Sequence, residues 1–398
     1  MLKKQKKILI IPALDDHVDL INLAKQKGYI VITCDNNPEN IGHFYGNVSK
    51  NISLLDVNKL ISTAKKNRIN AVCAFSTDIG AVAANKIARE LNMHYNPFEA
   101  VEIMASKKLF REFLCANNFL SPKFQVIEKY DQLNLDDLNL PLIIKPTDRA
   151  GSKGVQIINE IEGLREKIDF ALSYSFKKEV IIEEYIETDF KQVHGDAIVQ
   201  NGRLLFQCLG DQYFGEGALR FSPIATTFPT TIPIVLKEKL IDELKRFVET
   251  IGYKNGGINV EARINKNGEI VFIELGPRFG GNFIPKAIEF ACGVNVSKCA
   301  FQLAIKTPIT ISSYNINDCI FQLILRSTVS GKFRSVNIDD KKQFRILQDY
   351  SIKNKGDEVT VGDGTGNIIS VYIIEAVSKD VSIEIIRNIK NYFNVIID

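Results

Sequence analysis

The sequence predicts an α/β fold that passes into α+β structure, and three observations carry that reading. In the first ninety-odd residues, short strands that are apolar throughout alternate with amphipathic helical segments, the pattern of βαβ units on a parallel sheet. The middle third turns to strands joined at Asn201-Gly202 and Asn267-Gly268, a dipeptide that favours antiparallel hairpins. The 398 residues, 45% hydrophobic and 24% charged, suffice for two or three domains of a globular chain.

Taken in order, KKILIIPA is a strand, residues 19–27 form a helix stopped by Gly28, and YIVITCD is a second strand. Residues 57–66 and 79–91 read as helices around the strand INAVCAFS. Ligands of such a sheet collect at the carboxyl ends of its strands, here near Asp35–Pro38 and Ser76–Asp78. The first strand runs into Ile11-Pro12-Ala13 and lacks the GxGxxG turn of a dinucleotide fold. A helix over residues 106–117 leads to the strand KFQVI and an acidic, Asn-rich linker, residues 131–139. Then come LPLIIKP, GVQII, EVIIEEYI and two long hairpins, and finally the strands CIFQLILR and GNIISVYIIEA with a closing helix near residues 382–392. GDGTG at residues 362–366 reads as a tight hairpin, and His17, His43 and His94 as surface or turn residues.

Fifty Lys and Arg against 47 Asp and Glu leave +3, which calls for neither nucleic acid nor a membrane as partner and points to small molecules. No apolar run approaches the roughly 20 residues of a membrane span. The seven cysteines are scattered, never CxxC, as reduced thiols of a cytoplasmic protein are.

Four local features point to one chemistry. Lys145 closes the apolar strand LIIKP, and TDRAGSKGV after it offers backbone amides and Lys153 to phosphate oxygens, although this loop alone reads more simply as a surface hairpin. Glu183 and Glu184 end another apolar strand. Glu261 and Glu274 lie thirteen positions apart across the Asn267-Gly268 turn, so a hairpin sets them side by side, and paired carboxylates among apolar residues require a cation such as Mg²⁺. Arg278, in Gly-Pro-Arg, follows close enough to brace a transferring phosphoryl group or an oxyanion. Gly280 and Gly281 let backbone approach a substrate.

In this order of motifs the chain resembles the ATP-grasp superfamily, in the branch of biotin carboxylase, carbamoyl-phosphate synthase, phosphoribosylglycinamide synthetase and L-amino-acid ligases. The resemblance implies a Rossmann-like pre-ATP-grasp domain (residues 1–95), an ATP-grasp domain (96–308) with a glycine-rich lid near 120–182, and a small C-terminal α+β domain (309–398). It implies ATP and Mg²⁺ or Mn²⁺ as cofactors: Lys108 and Lys145 on the phosphates, Gly151, Ser152, Lys153, Gly154 and Val155 closing over them, and Glu183, Glu184, Tyr185 and Ile186 at the adenine. Glu187 or Asp189 would hold the ribose, Glu261 and Glu274 the metal, and Arg278 the reaction centre. Gly276 departs from the family's Glu-x-Asn-Pro-Arg pattern. Substrate contacts are expected from Gly280, Gly281 and Asn282, with His194 and Asp196 as a second group.

The implied activity is ATP-dependent ligation of a small carboxylic or amino acid to an amine through an acyl phosphate, with ADP and phosphate released. Two alternatives stay open at this level: a phosphoribosylglycinamide synthetase-like or carboxyphosphate-forming enzyme, and a nucleotide-binding regulator whose site Gly276 has weakened. The expected partners are a small-molecule carboxylate and amine, and the resemblance allows a homodimer.

Overall fold

The computed structural model describes residues 5–93, 95–149, 151–340, 342–361, 364 and 366–398. Its N-terminal part is the expected βαβ array: β1 (Lys7–Ile11), α1 (Val18–Gln26), β2 (Ile30–Asp35), α2 (Gly42–Tyr45), β3 (Val48–Asn51), α3 (Val57–Asn67), β4 (Ala71–Ala74) and α4 (Asp78–Glu90). The strands pair in parallel in the order β3-β2-β1-β4. Ile8, Leu9, Ile10 and Ile11 are all fully buried, because helices cover both faces of the central strand. The Thr77 side chain caps α4 by accepting from Gly80 N, so Asp78 opens that helix at the carboxyl end of β4.

Helices α5 (Phe98–Ala105) and α6 (Lys107–Ala116) lead into a separate four-stranded sheet made of β5 (Phe124–Ile127), β6 (Leu142–Pro146), β7 (Gln156–Ile158) and β8 (Val180–Glu184). It packs on α7 (Leu164–Tyr174) around its own core of Ile127, Leu142, Ile144, Ile158, Ile168 and Ile182. The chain then builds a second sheet from β9 (Gln192–Gln200), β10 (Arg203–Phe214), β11 (Pro223–Thr227) and, after α8 (Ile234–Ile251), β12 (Gly256–Ile264) and β13 (Ile270–Gly276). At the first hairpin Asn201 and Gly202 both take positive φ, 54° and 74°, which explains that dipeptide.

Helices α9 (Ile284–Cys292) and α10 (Val296–Ala304) follow, then β14 (Ile320–Arg326), β15 (Gly331–Ile338), β16 (Phe344–Ser351), β17 (Glu358–Val359), β18 (Ile368–Ala376), α11 (Lys379–Arg387), α12 (Ile389–Tyr392) and β19 (Phe393–Ile397). Strand β14 pairs with β11 from Ala225–Leu323 to Thr227–Phe321, so a single eight-stranded sheet, β13-β12-β9-β10-β11-β14-β18-β16, runs through residue 308 into the C-terminal part. A three-stranded sheet, β17-β15-β19, completes it.

Two histidines differ from expectation. His17 and His43 are buried rather than superficial, His17 edge-on to Phe75 and His43 bonded to Thr33 and Ser49. His94 and most of the GDGTG segment (362, 363 and 365) lie outside the described residues. No helix among the described residues is long and apolar enough to cross a membrane.

Strands β9 and β10 approach so closely at Gly195 that a Cβ there would sit 2.0 Å from the Cys208 carbonyl oxygen. Gly195→Ala should therefore destabilise the protein by roughly 2–3 kcal/mol in urea unfolding; an unchanged midpoint would show that the two strands are farther apart.

Candidate active site

The site is assembled first by an ion triad buried under the junction of α6, β6, β8 and β13. Arg111 is 2% exposed. Its Nε donates to Glu183 Oε1 at 2.6 Å, and its two terminal nitrogens donate to the carbonyls of Phe272 and Ile273. Glu183 Oε2 accepts from Lys145 Nζ, also at 2.6 Å. Burial opposes ionisation of Glu183, but Arg111 and Lys145 outweigh it and bring its pKa down to about 2. Burial lowers the Lys145 pKa, with Glu183 opposing. One helix side chain thus fixes both the strand that carries Lys145's counter-ion and the two residues just before Glu274.

Glu261 and Glu274 face each other as register partners on β12 and β13, as the hairpin spacing predicts. Burial, and then the neighbouring charge of Glu274, push the Glu261 pKa up to about 7. Gln192 Nε2 donates to Glu261 Oε2 at 3.0 Å and thereby orients it. Glu274 lies 3.9 Å from Lys107 Nζ on one side and 3.6 Å from Arg278 Nη2 on the other. Among the described residues no group of three or more His, Cys, Asp or Glu side chains is placed to hold a metal ion, and Glu261 and Glu274 are two carboxylates side by side.

Arg278 folds back over its own turn to meet the N-terminal domain. Its Nε and Nη2 donate to the two carboxylate oxygens of Asp78, at 3.0 and 3.3 Å, and its Nη1 donates to Asn259 Oδ1 at 2.9 Å. Burial works against its charge, yet Asp78 and Glu274 more than compensate and raise its pKa. This contact accounts for Gly276: a Cβ there would lie 3.1 Å from both Arg278 Nε and Asp78 Oδ1. A side chain at this position would have to press on the arginine–aspartate pair.

Against this geometry, residues 138–286 match the model of the ATP-grasp domain family. The matched stretch runs from just before β6 to the start of α9 and includes the Glu261–Glu274 hairpin. The fold agrees along its whole length: an L-amino acid ligase from Bacillus licheniformis superposes with a TM-score of 0.84 at 18% identity, covering all of both chains. Among curated proteins, the alanine–anticapsin ligase of Bacillus amyloliquefaciens is 26% identical over 41% of this chain and 38% of its own length. The carbamoyl phosphate synthase large chain of Thermotoga neapolitana is 23% identical over 73% of this chain and 27% of its own. The chain spans about half or less of the length of the curated relatives it matches.

Several expected residues lie elsewhere than foreseen. Lys108 is 41% exposed and 3.8 Å from Glu179; Lys107 is the lysine that reaches Glu274 and also donates to the Arg149 carbonyl at 2.8 Å. Glu183 turns its side chain into the ion triad, while Glu184 accepts from Asn139. Tyr185 lies under Arg263, which donates to the Ile186 carbonyl. Asp189 is exposed near Lys266, which pairs with Glu187. In the glycine-rich loop, Gly151, Ser152 and Gly154 take positive φ, and Ser152 Oγ donates to the Phe221 carbonyl at 2.7 Å; Lys153 packs near Gly364, and Val155 follows beside Ser152. Asn282 is held through its backbone, its carbonyl accepting from Gln322 Nε2, and Gly281 lies near the Ser76 carbonyl. His194 and Asp196 are buried, and both contact Asn259, which in turn accepts from Arg278.

Sequence reasoning missed Lys107, Arg111, Asn259 and the role of Asp78. The available signal was helical spacing: Lys107 and Arg111 are four residues apart, on one face of α6.

Glu183 ties stability to acid. Its folded pKa lies below its ordinary 4.5, so it stabilises the protein above that value and loses this contribution as pH falls toward about 2. Glu183→Gln, which leaves Arg111 and Lys145 without their anion, should cost roughly 3–5 kcal/mol at neutral pH and flatten the acid limb of thermal-melting curves. A variant melting like the wild type at pH 7 and pH 4 would contradict the triad.

Proposed function

We propose that the protein is an ATP-dependent carboxylate–amine ligase acting on a small carboxylic or amino acid. The observation that carries the reading is Glu274: opposite Glu261, it stands between Lys107 and Arg278, with Lys145 in the adjoining triad. Joining a carboxylate to an amine in water is uphill, so the carboxylate must first gain a better leaving group. Transfer of the ATP γ-phosphoryl group to a carboxylate oxygen supplies it; the amine then attacks the acyl carbon, and phosphate departs. Such chemistry asks for positioning and charge neutralisation more than for a covalent nucleophile.

In this reading Lys107, Lys145 and the loop from Gly151 to Val155 grip the phosphates, and the main chain from Glu183 to Ile186 borders the adenine. Glu261 and Glu274 would hold Mg²⁺ or Mn²⁺, which when bound would neutralise charge on the phosphates. Arg278 braces the oxyanion of the acyl centre, with the Gly280-Gly281 backbone open beside it. The loop and its neighbours exclude water, which would hydrolyse an acyl phosphate. Two of the similar proteins are amino-acid ligases by name, which supports an amino acid as one substrate. The regulator reading loses its footing, because the Asp78–Arg278 pair gives Gly276 a packing reason. A cytoplasmic setting belongs to the same proposal, supported by seven thiols that are all free.

ADP release measured over a panel of amino acids, paired and single, tests the proposal; ATP binding without acid-dependent turnover for any acid would sink it. With a productive acid, Glu274→Gln should abolish turnover, and unchanged turnover would show the metal assignment to be wrong. Arg278→Ala should lower kcat by about 10²–10³ while the KM for ATP stays within about twofold. A large loss of ATP affinity would instead move Arg278 to the nucleotide.

A further inference from the structure

The turn carrying Arg278 and Gly280 rests on a buried polar floor. Asp196, on β9, is fully buried. Its Oδ1 accepts from the backbone N–H of Gly280 at 2.8 Å and from Asn259 Nδ2 at 3.1 Å. The same Asn259 amide nitrogen points at the Gly195 carbonyl (3.1 Å) and at His194 Nε2 (3.3 Å). His194 Nδ1 lies 3.2 Å from Thr226 Oγ1, and burial, with Arg278 adding to it, holds the His194 pKa at about 3, so the ring is neutral. A neutral ring donating to Thr226 presents Nε2 as an acceptor. With three acceptors facing Asn259 Nδ2, the amide can turn only one way, and its oxygen is left for Arg278 Nη1 at 2.9 Å.

We propose that Asp196 is a positioning residue, one that sets the Gly280 amide directly and the Arg278 guanidinium through Asn259. It touches no substrate and acts only through these two groups. The fit is close, since a Cβ on Gly280 would meet Asn259 Nδ2 at 3.0 Å, so the floor and the turn move together. Asp196 Oδ2 has no partner, and burial pushes this carboxyl up to about 7 despite the bonds from Asn259 and Gly280. The inference rests on the ligase reading for its catalytic consequence, but its structural content stands apart from that reading.

The test compares Asp196→Ala with Asp196→Asn in the full-length protein. Hydrogen–deuterium exchange over residues 277–284 reads the turn itself, and steady-state ADP release reads its consequence. Asp196→Ala should raise exchange in that segment selectively and lower kcat by about 10²-fold, the scale on which a displaced catalytic group acts, with the KM for ATP within about twofold. Asp196→Asn, whose Oδ1 can still accept from Gly280 and Asn259, should recover the protection and most of the lost turnover. Unchanged exchange over 277–284 in the alanine variant overturns the proposal, and so does an asparagine variant as impaired as alanine. If the wild type turns over no acid, the ligase reading fails while the exchange result still decides the role of Asp196.

Discussion

Everything at the site depends on the charge balance around Glu183. A carboxylate sealed from water between strands is costly unless it is met by opposite charge at short range, and here Arg111 and Lys145 meet both of its oxygens. Because Arg111 also takes the carbonyls of Phe272 and Ile273, the requirement of one buried anion is transmitted to α6, β6, β8 and β13 together. Lys107 rides on the same helix as Arg111 and Glu274 on the same strand as those carbonyls. The spacing of Lys107 and Glu274 is inherited from that single balance.

A second network meets the first at Glu274. Asp78 reaches across from the start of α4 to Arg278, 200 positions away in sequence, while Asn259 holds the same guanidinium from below. The site is therefore made from the N-terminal βαβ array as well as from the stretch that matches the ATP-grasp model. It cannot be read as a property of the glycine-rich loop and hairpin alone.

Much of this was legible in the residues. Apolar strands and Asn-Gly turns specify their own pairing, and two glutamates placed thirteen apart around such a turn must face each other. What was not legible depends on directions that a linear pattern does not carry. Lys107 and Lys108 are neighbours in sequence but about 100° apart around a helix, and only packing decides that the first faces Glu274. Asp196 lies in a strand whose two faces are both covered, so its polarity suggested a substrate contact when it marked a buried anchor. Gly276 looked like a lost ligand because the two side chains that crowd it come from two residues on, Arg278, and from the distant start of α4, Asp78.

The pairing of β11 with β14 has a mechanical meaning. Strands from the middle and the end of the chain share one continuous set of backbone hydrogen bonds, so the C-terminal part cannot swing relative to β9–β13 without breaking the sheet. The β5-β8-β6-β7 sheet, by contrast, keeps a core of its own and, among the described residues, pairs with neither neighbouring sheet. The two sheets are joined by side chains: Arg111 ties Glu183 of the small sheet to the Phe272 and Ile273 carbonyls of the large one, and Ser152 to Phe221 and Lys107 to Arg149 add lighter stitches at the rim.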